Sequence, residues 1–173
     1  MILLEYKILK LNDLYTNLIG FIMIKKIQLF ICFLVLIMTT NSVYAMTNIE
    51  SAHDVKTTAD RLEAVLQDKG MTVFARIDHA AGAKKVEQEL RPTELVIFGN
   101  PKVGTLLMQC QQTVGIDLPM KALIWQDEAG QVWFSYDEPE MMQKKHSIEG
   151  CDPVLEKIKG ALANFAKAAT ATN

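Results

Sequence analysis

The sequence predicts a single two-layer α+β domain with helices packed on a mostly antiparallel sheet. Three observations carry that prediction. Residues 71–77, MTVFARI, alternate in polarity with a period of two, as a half-buried strand does. Two β-like runs, residues 120–126 and 131–136, flank the turn Asp127-Glu128-Ala129-Gly130 and read as an antiparallel hairpin, which excludes a purely parallel sheet. Near the C-terminus the period changes to that of a helix, with Val154, Leu155, Ile158, Leu162 and Phe165 on one stripe.

The chain has 173 residues, and residues 1–45 read as a secretory leader. Met23-Ile24-Lys25-Lys26 is basic, residues 27–38 are apolar except for Gln28, and Val43-Tyr44-Ala45 supplies the small residues of a cleavage site. A complete leader already begins at Met23, which makes that methionine a candidate start. The apolar run is shorter than the ~20 residues that span a bilayer. Cleavage after Ala45 is therefore expected to leave no stable membrane anchor and a periplasmic or secreted product. Residues 46–167 then form one domain, and the Ala/Thr-rich residues 168–173 read as a frayed tail.

Each element has a local cause. A short strand is expected over residues 48–52. Asp54 can cap a helix carrying Val55, Ala59, Leu62, Val65 and Leu66 on one face, stopped by Gly70. In the strand that follows, Met71, Val73, Ala75 and Ile77 face one way, and Thr72, Phe74 and Arg76 the other. Asp78 opens a helix over residues 80–90, which Arg91-Pro92 ends because the residue before proline leaves the α region. Residues 93–98 form a strand. Asn100 and Pro101 are an N-cap and first-turn pair for a helix that turns Val103, Leu106, Leu107 and Cys110 inward. Residues 115–119 connect it to the hairpin. Asp137 and Pro139 open a short helix to about Lys145, and Asp152 and Pro153 open the last one.

The charge pattern narrows the function. Of 18 basic and 20 acidic residues, four basic (Lys7, Lys10, Lys25, Lys26) and two acidic (Glu5, Asp13) lie in the leader. The remaining domain is mildly acidic and has no electrostatic footprint for nucleic acid. The stretch VIFGNPKVGT, residues 96–105, looks like a phosphate loop, and Gly99 and Gly104 have the Walker separation. Thr105 stands where the lysine belongs, however, and Leu106 where the hydroxyl belongs. Lys102 and the first-turn amides could still hold a carboxylate or phosphate weakly; the simpler reading is that Gly99 permits a tight turn and Asn100 caps the helix.

Two histidines invite comment. His79 at a strand end could be an acid/base group, a ligand or a cap. His146 follows Lys144 and Lys145, and cations late in a helix suit its dipole. Met141, Met142, His146 and Cys151 are soft enough for copper, yet methionine is ordinarily core filler, so no metal and no cofactor is expected. Trp125, Trp133 and Tyr136 could line an apolar pocket or fill the core. Once Cys32 leaves with the leader, Cys110 and Cys151 are either a disulfide, which export favours, or two buried thiols that never meet. Closing that loop would stabilise the fold by roughly 2–4 kcal/mol.

Residues 74–83 (FARIDHAAGA), 95–105 (LVIFGNPKVGT) and 116–125 (IDLPMKALIW) together resemble the domain of unknown function 302 family. The resemblance runs from about Ser51 to His146 and implies a compact α+β fold, a homodimer, and no assigned activity or catalytic residue. It marks Asp78-His79, Phe98-Gly99-Asn100-Pro101, Gly104-Thr105, Asp117-Leu118-Pro119, Trp125, Trp133 and Tyr136 as signature positions. Exported members are similar in carrying two cysteines at corresponding places, which supports pairing Cys110 with Cys151.

The expected function is a non-enzymatic binding or stress-related accessory domain. Its ligand would be a small anionic or apolar molecule held by His79, Phe98, Gly99, Asn100, Lys102, Gly104, Thr105, Asp117, Trp125 and His146. The alternatives are an enzyme using His79 as acid/base and a structural homodimeric module.

Overall fold

The structure, a computed structural model, describes residues 46–172 together with residues 23 and 25. Apart from residues 23 and 25, the expected leader, with Ala45 before its expected cleavage site, lies outside the described residues. Five strands, β1 (Thr47–Ser51), β2 (Thr72–Asp78), β3 (Thr93–Gly99), β4 (Met120–Gln126) and β5 (Val132–Tyr136), form one sheet in the order β1-β5-β4-β3-β2, antiparallel throughout. The helices are α1 (Val55–Asp68), α2 (His79–Lys85), α3 (Pro101–Cys110), α4 (Pro139–His146) and α5 (Asp152–Thr170), with a 3-10 turn at Gln112–Ile116. This is the α+β class that the sequence predicts.

The long helices α1 and α5 pack on one face of the sheet. The Asp54 carboxylate accepts the Thr57 amide at 2.7 Å and starts α1, and Gly70, at φ +66°, ends it where a side chain would be strained. Ala59, Leu62 and Leu66 of α1 and Leu155, Ile158, Leu162 and Phe165 of α5 meet Val96, Phe98, Ala122, Ile124 and Phe134 of the sheet. Phe98 and Phe165 lie edge to face at 6.1 Å. On the opposite sheet face Leu95, Ile97, Leu123, Trp125 and Trp133 are half-buried. There Trp125 and Trp133 stack at 6.5 Å, and their indole N–H groups donate to Ser135 Oγ and Asp127 Oδ2. Asp127 also accepts the Ala129 and Gln131 amides through Oδ1, so one side chain organises the hairpin turn.

Four expectations are corrected. The alternation of residues 71–77 fails at Phe74: Val73 pairs with Phe98, but Ala75 pairs with Ile97, so Phe74 is a bulge. One extra residue swaps the faces of everything after it. Arg76 therefore lies opposite Val96 on the helix-covered face, and Ile77 lies opposite Leu95 and is exposed. The helix expected over residues 80–90 stops at Lys85, because it buries no residue and packing cannot extend it; Glu87 takes φ 60° just beyond. Leu106 and Cys110, expected inward on α3, are exposed, and Leu107 alone of that helix is buried. The C-terminal residues are not frayed as far as Thr170. Ala169 and Thr170 are buried, the Ala52 amide donates to the Thr170 carbonyl, and Arg61 donates to the carbonyls of Ala168 and Ala169.

Candidate functional site

The loop from β3 to α3 opens onto a groove. Asn100 Oδ1 accepts the Lys102 amide at 3.0 Å, and the Asn100 carbonyl accepts the amides of Val103 and Gly104. Pro101 has no N–H to offer. The Lys102, Val103 and Gly104 amides at the start of α3 are thus engaged by Asn100, in the capping role that the simpler reading gave it. Gly99 lies against two other segments: a Cβ there would reach the Phe74 ring at 3.4 Å and Pro119 at 3.5 Å, ordinary contact distances, so the bulged Phe74 and the Leu118-Pro119 segment pack on the loop.

The groove encloses about 780 Å³. Phe98, Met120, Ile158 and Phe165 lie among its lining residues; α3 contributes Val103, Gly104, Thr105 and Met108, and Leu118-Pro119 adds to it. Along α5 the lining residues Lys157, Ala161, Asn164 and Ala168 recur at helical spacing, and two of the four are alanines too small to fill the space. The Cys110–Cys151 disulfide joins the end of α3 to the start of α5, with Cα atoms 6.3 Å apart, and so ties together two helices that line the groove.

Of the expected ligand residues, Phe98, Gly99, Asn100, Gly104 and Thr105 come together here. Lys102 is exposed and outside the lining. His79 is exposed as the first residue of α2, and its neighbour Asp78 caps that helix through the Ala81 amide. Trp125 lies on the opposite sheet face. Tyr136 is core, edge to face with Phe134 at 6.1 Å, and burial raises its phenol pKa. Met142 is core as well, and among the described residues no group of three metal-ligating side chains assembles.

Asp117 and His146 meet elsewhere. His146 Nε2–H donates to Asp117 Oδ2 at 2.6 Å, and Lys145 donates to Oδ1 at 2.7 Å. On the other side of the ring, Nδ1 lies 3.0 Å from the Thr113 hydroxyl. This chain ties α4 to the 3-10 turn. Burial pushes the Asp117 carboxyl up, but the hydrogen bonds from Lys145 and His146 outweigh it and hold the group below its ordinary value. A carboxyl depressed on folding stabilises the protein above its unfolded pKa of about 3.9, and the contribution is lost as pH falls through the lower folded value. Asp117→Asn is accordingly expected to melt below the wild type near neutrality, with the gap closing between about pH 5 and about pH 2. A gap that stays constant in acid would show that the ionised carboxylate is not the source.

The family described as Domain of unknown function DUF302 matches residues 47–165. The chain belongs to this family. Its fold is shared with the crystal structure of an uncharacterized conserved DUF302 protein from Bacillus stearothermophilus, at a TM-score of 0.67 and 17% identity, covering 74% of this chain and 99% of that one. Among curated proteins, fluoride-specific ion channel FluC 1 of Brucella suis is 47% identical over 103 residues, 60% of this chain and 41% of that protein. Fluoride-specific ion channel FluC 2 of Brucella melitensis is also 47% identical over 103 residues, which cover 38% of its length. The chain thus spans about two fifths of the curated relatives it matches.

What sequence reasoning missed in this DUF302 domain is the far side of the groove: Val65 and Lys69 at the end of α1, and Lys157 and Ala161 on α5. The available signal was the alanines at 161 and 168 in the last helix, beside its bulky stripe. Nothing in the spacing of Asp117 and His146, 29 residues apart, announced their contact.

Proposed function

We propose that this DUF302 domain is an exported small-ligand-binding or accessory module without catalytic chemistry of its own, and that it takes an apolar molecule in the groove between α3 and α5. The groove itself carries this reading. Its volume falls in the ~300–1,000 Å³ range of small-molecule sites, its lining is mostly apolar, and eight signature positions edge it. Among the described residues the lining contains no histidine, carboxylate, cysteine or serine, which favours binding over proton transfer or covalent chemistry. The disulfide supports export, since such bonds persist in oxidising compartments.

The fluoride-channel names belong to chains of which this one spans a minor part. No helix among the described residues is long and apolar enough to cross a membrane. We therefore read the shared region as an accessory domain of those chains, not as their conducting part.

Thermal melting in the presence of a panel of apolar and amphiphilic small molecules tests the groove. A ligand selective for the folded state is expected to raise the melting temperature by about 2 °C or more near saturation. Ala161→Phe, at a half-buried groove position, is expected to fold and to lose that response. A panel without a single stabiliser, or an Ala161→Phe protein that responds like the wild type, would remove the groove as the site.

A further inference from the structure

We infer that the ligand of the groove is a single-chain amphiphile with a carboxylate-type anionic head, its tail along the apolar floor and its head toward Lys69 and Lys157. This inference rests on the groove being a ligand site, and it adds the chemical class.

Charge is the first observation. The whole chain carries more acidic than basic residues and a formal charge of -2, yet among the described residues no aspartate or glutamate lines the groove, and the charged lining residues are Lys69 and Lys157. Carboxylates occupy other lysines of the fold: Lys145 pairs with Asp117 and Lys159 with Glu140. No described side chain pairs with Lys157, two positions before Lys159 on the same helix. Lys69 meets only its chain neighbour Asp68, and both are largely exposed, so this pair contributes little and leaves the ammonium open to a second anion.

Shape is the second. From Lys157 to Ala168 the stripe of α5 that lines the groove is about 16 Å long. Its apolar part continues across Phe98, Val103, Leu118, Ile158 and Phe165, a surface suited to an extended hydrocarbon chain. Lysine stems can lie on such a surface while their ammonium groups stay at its edge, where an anionic head would be met. The start of α3 does not compete for the head, because its amides are engaged by Asn100.

Calorimetric titration of the full oxidised chain with dodecanoate, dodecan-1-ol and dodecyltrimethylammonium, each below its micellar concentration, separates the alternatives. Dodecanoate is expected to bind roughly fivefold tighter than the alcohol, with the cation weakest, and to weaken as sodium chloride is raised. In the Lys69→Gln/Lys157→Gln double variant, which removes the charges and keeps most of each stem, dodecanoate should fall to the level of the alcohol. Both lysines are exposed, so the variant is expected to keep its melting temperature; should it not fold, the salt dependence and the head-group order of the wild type still decide. Equal affinity for alcohol and carboxylate, or a preference that survives the double variant, would overturn the inference and leave the apolar groove standing. Failure of all three probes would overturn the groove reading with it. Binding to phosphatidylglycerol vesicles without binding to monomeric dodecanoate would also overturn it, in favour of a bilayer surface.

Discussion

Replacing Cys110 and Cys151 together by serine is expected to lower the folding free energy by about 4 kcal/mol. The two residues are 41 positions apart, and in the chain-entropy picture a cross-link of that span removes about that much freedom from the unfolded chain. The closed loop contains the 3-10 turn, the β4–β5 hairpin and α4, so losing it affects elements on both sides of the groove. Urea unfolding of the oxidised wild type and the double serine variant measures the difference. A loss below about 1 kcal/mol would mean that the bond does not constrain the unfolded chain as its span requires. The groove offers a second readout. Without the bond only side-chain packing holds the end of α3 to the start of α5, so a ligand bound between those helices should dissociate faster from the serine variant, even under conditions where both proteins are folded.

The parts of this architecture that were legible in the sequence are those governed by neighbours in the chain. Asp54, Asn100 and Gly70 act within one helical turn, and the structure places each in the capping or stopping role that its residue type suits. The hairpin is equally local, since Asp127 and Gly130 set its turn. The candidate site is different. Phe98 through Thr105 were visible as one edge because they are contiguous, but the opposite edge comes from Val65, Lys69 and α5, which the fold brings across from both ends of the domain. The link from Asp117 to His146 is tertiary in the same sense. The strand β2 failed for another reason: its polarity pattern carries no mark of the bulge, which only pairing with β3 reveals.

That bulge sets up the second large effect. Arg76→Met is expected to destabilise the fold by about 3 kcal/mol. The shift at Phe74 turns Arg76 to the helix-covered face, where its Nε donates to Glu94 of β3 and its Nη1 to Asp60 of α1, each at 2.5 Å, with Glu63 of α1 at 3.5 Å. Glu94 is 8% exposed; without the guanidinium it would keep a nearly buried charge with two other carboxylates close by. Breaking a buried pair typically costs ~3–5 kcal/mol because of the charge left behind, and the partial exposure of Arg76 places this one at the lower end. The same logic predicts a rescue. Glu94→Gln removes the stranded charge, so the Arg76→Met/Glu94→Gln protein should be more stable than the sum of the single variants implies, by about 1–2 kcal/mol. Denaturant midpoints for the four proteins of this cycle supply the test, and strictly additive losses would refute the coupling. The bulge itself predicts a further asymmetry. Because Phe74 closes on Gly99 at the groove while Arg76 lies under α1, Arg76→Met should alter stability far more than ligand affinity, and a change at Phe74 should do the reverse.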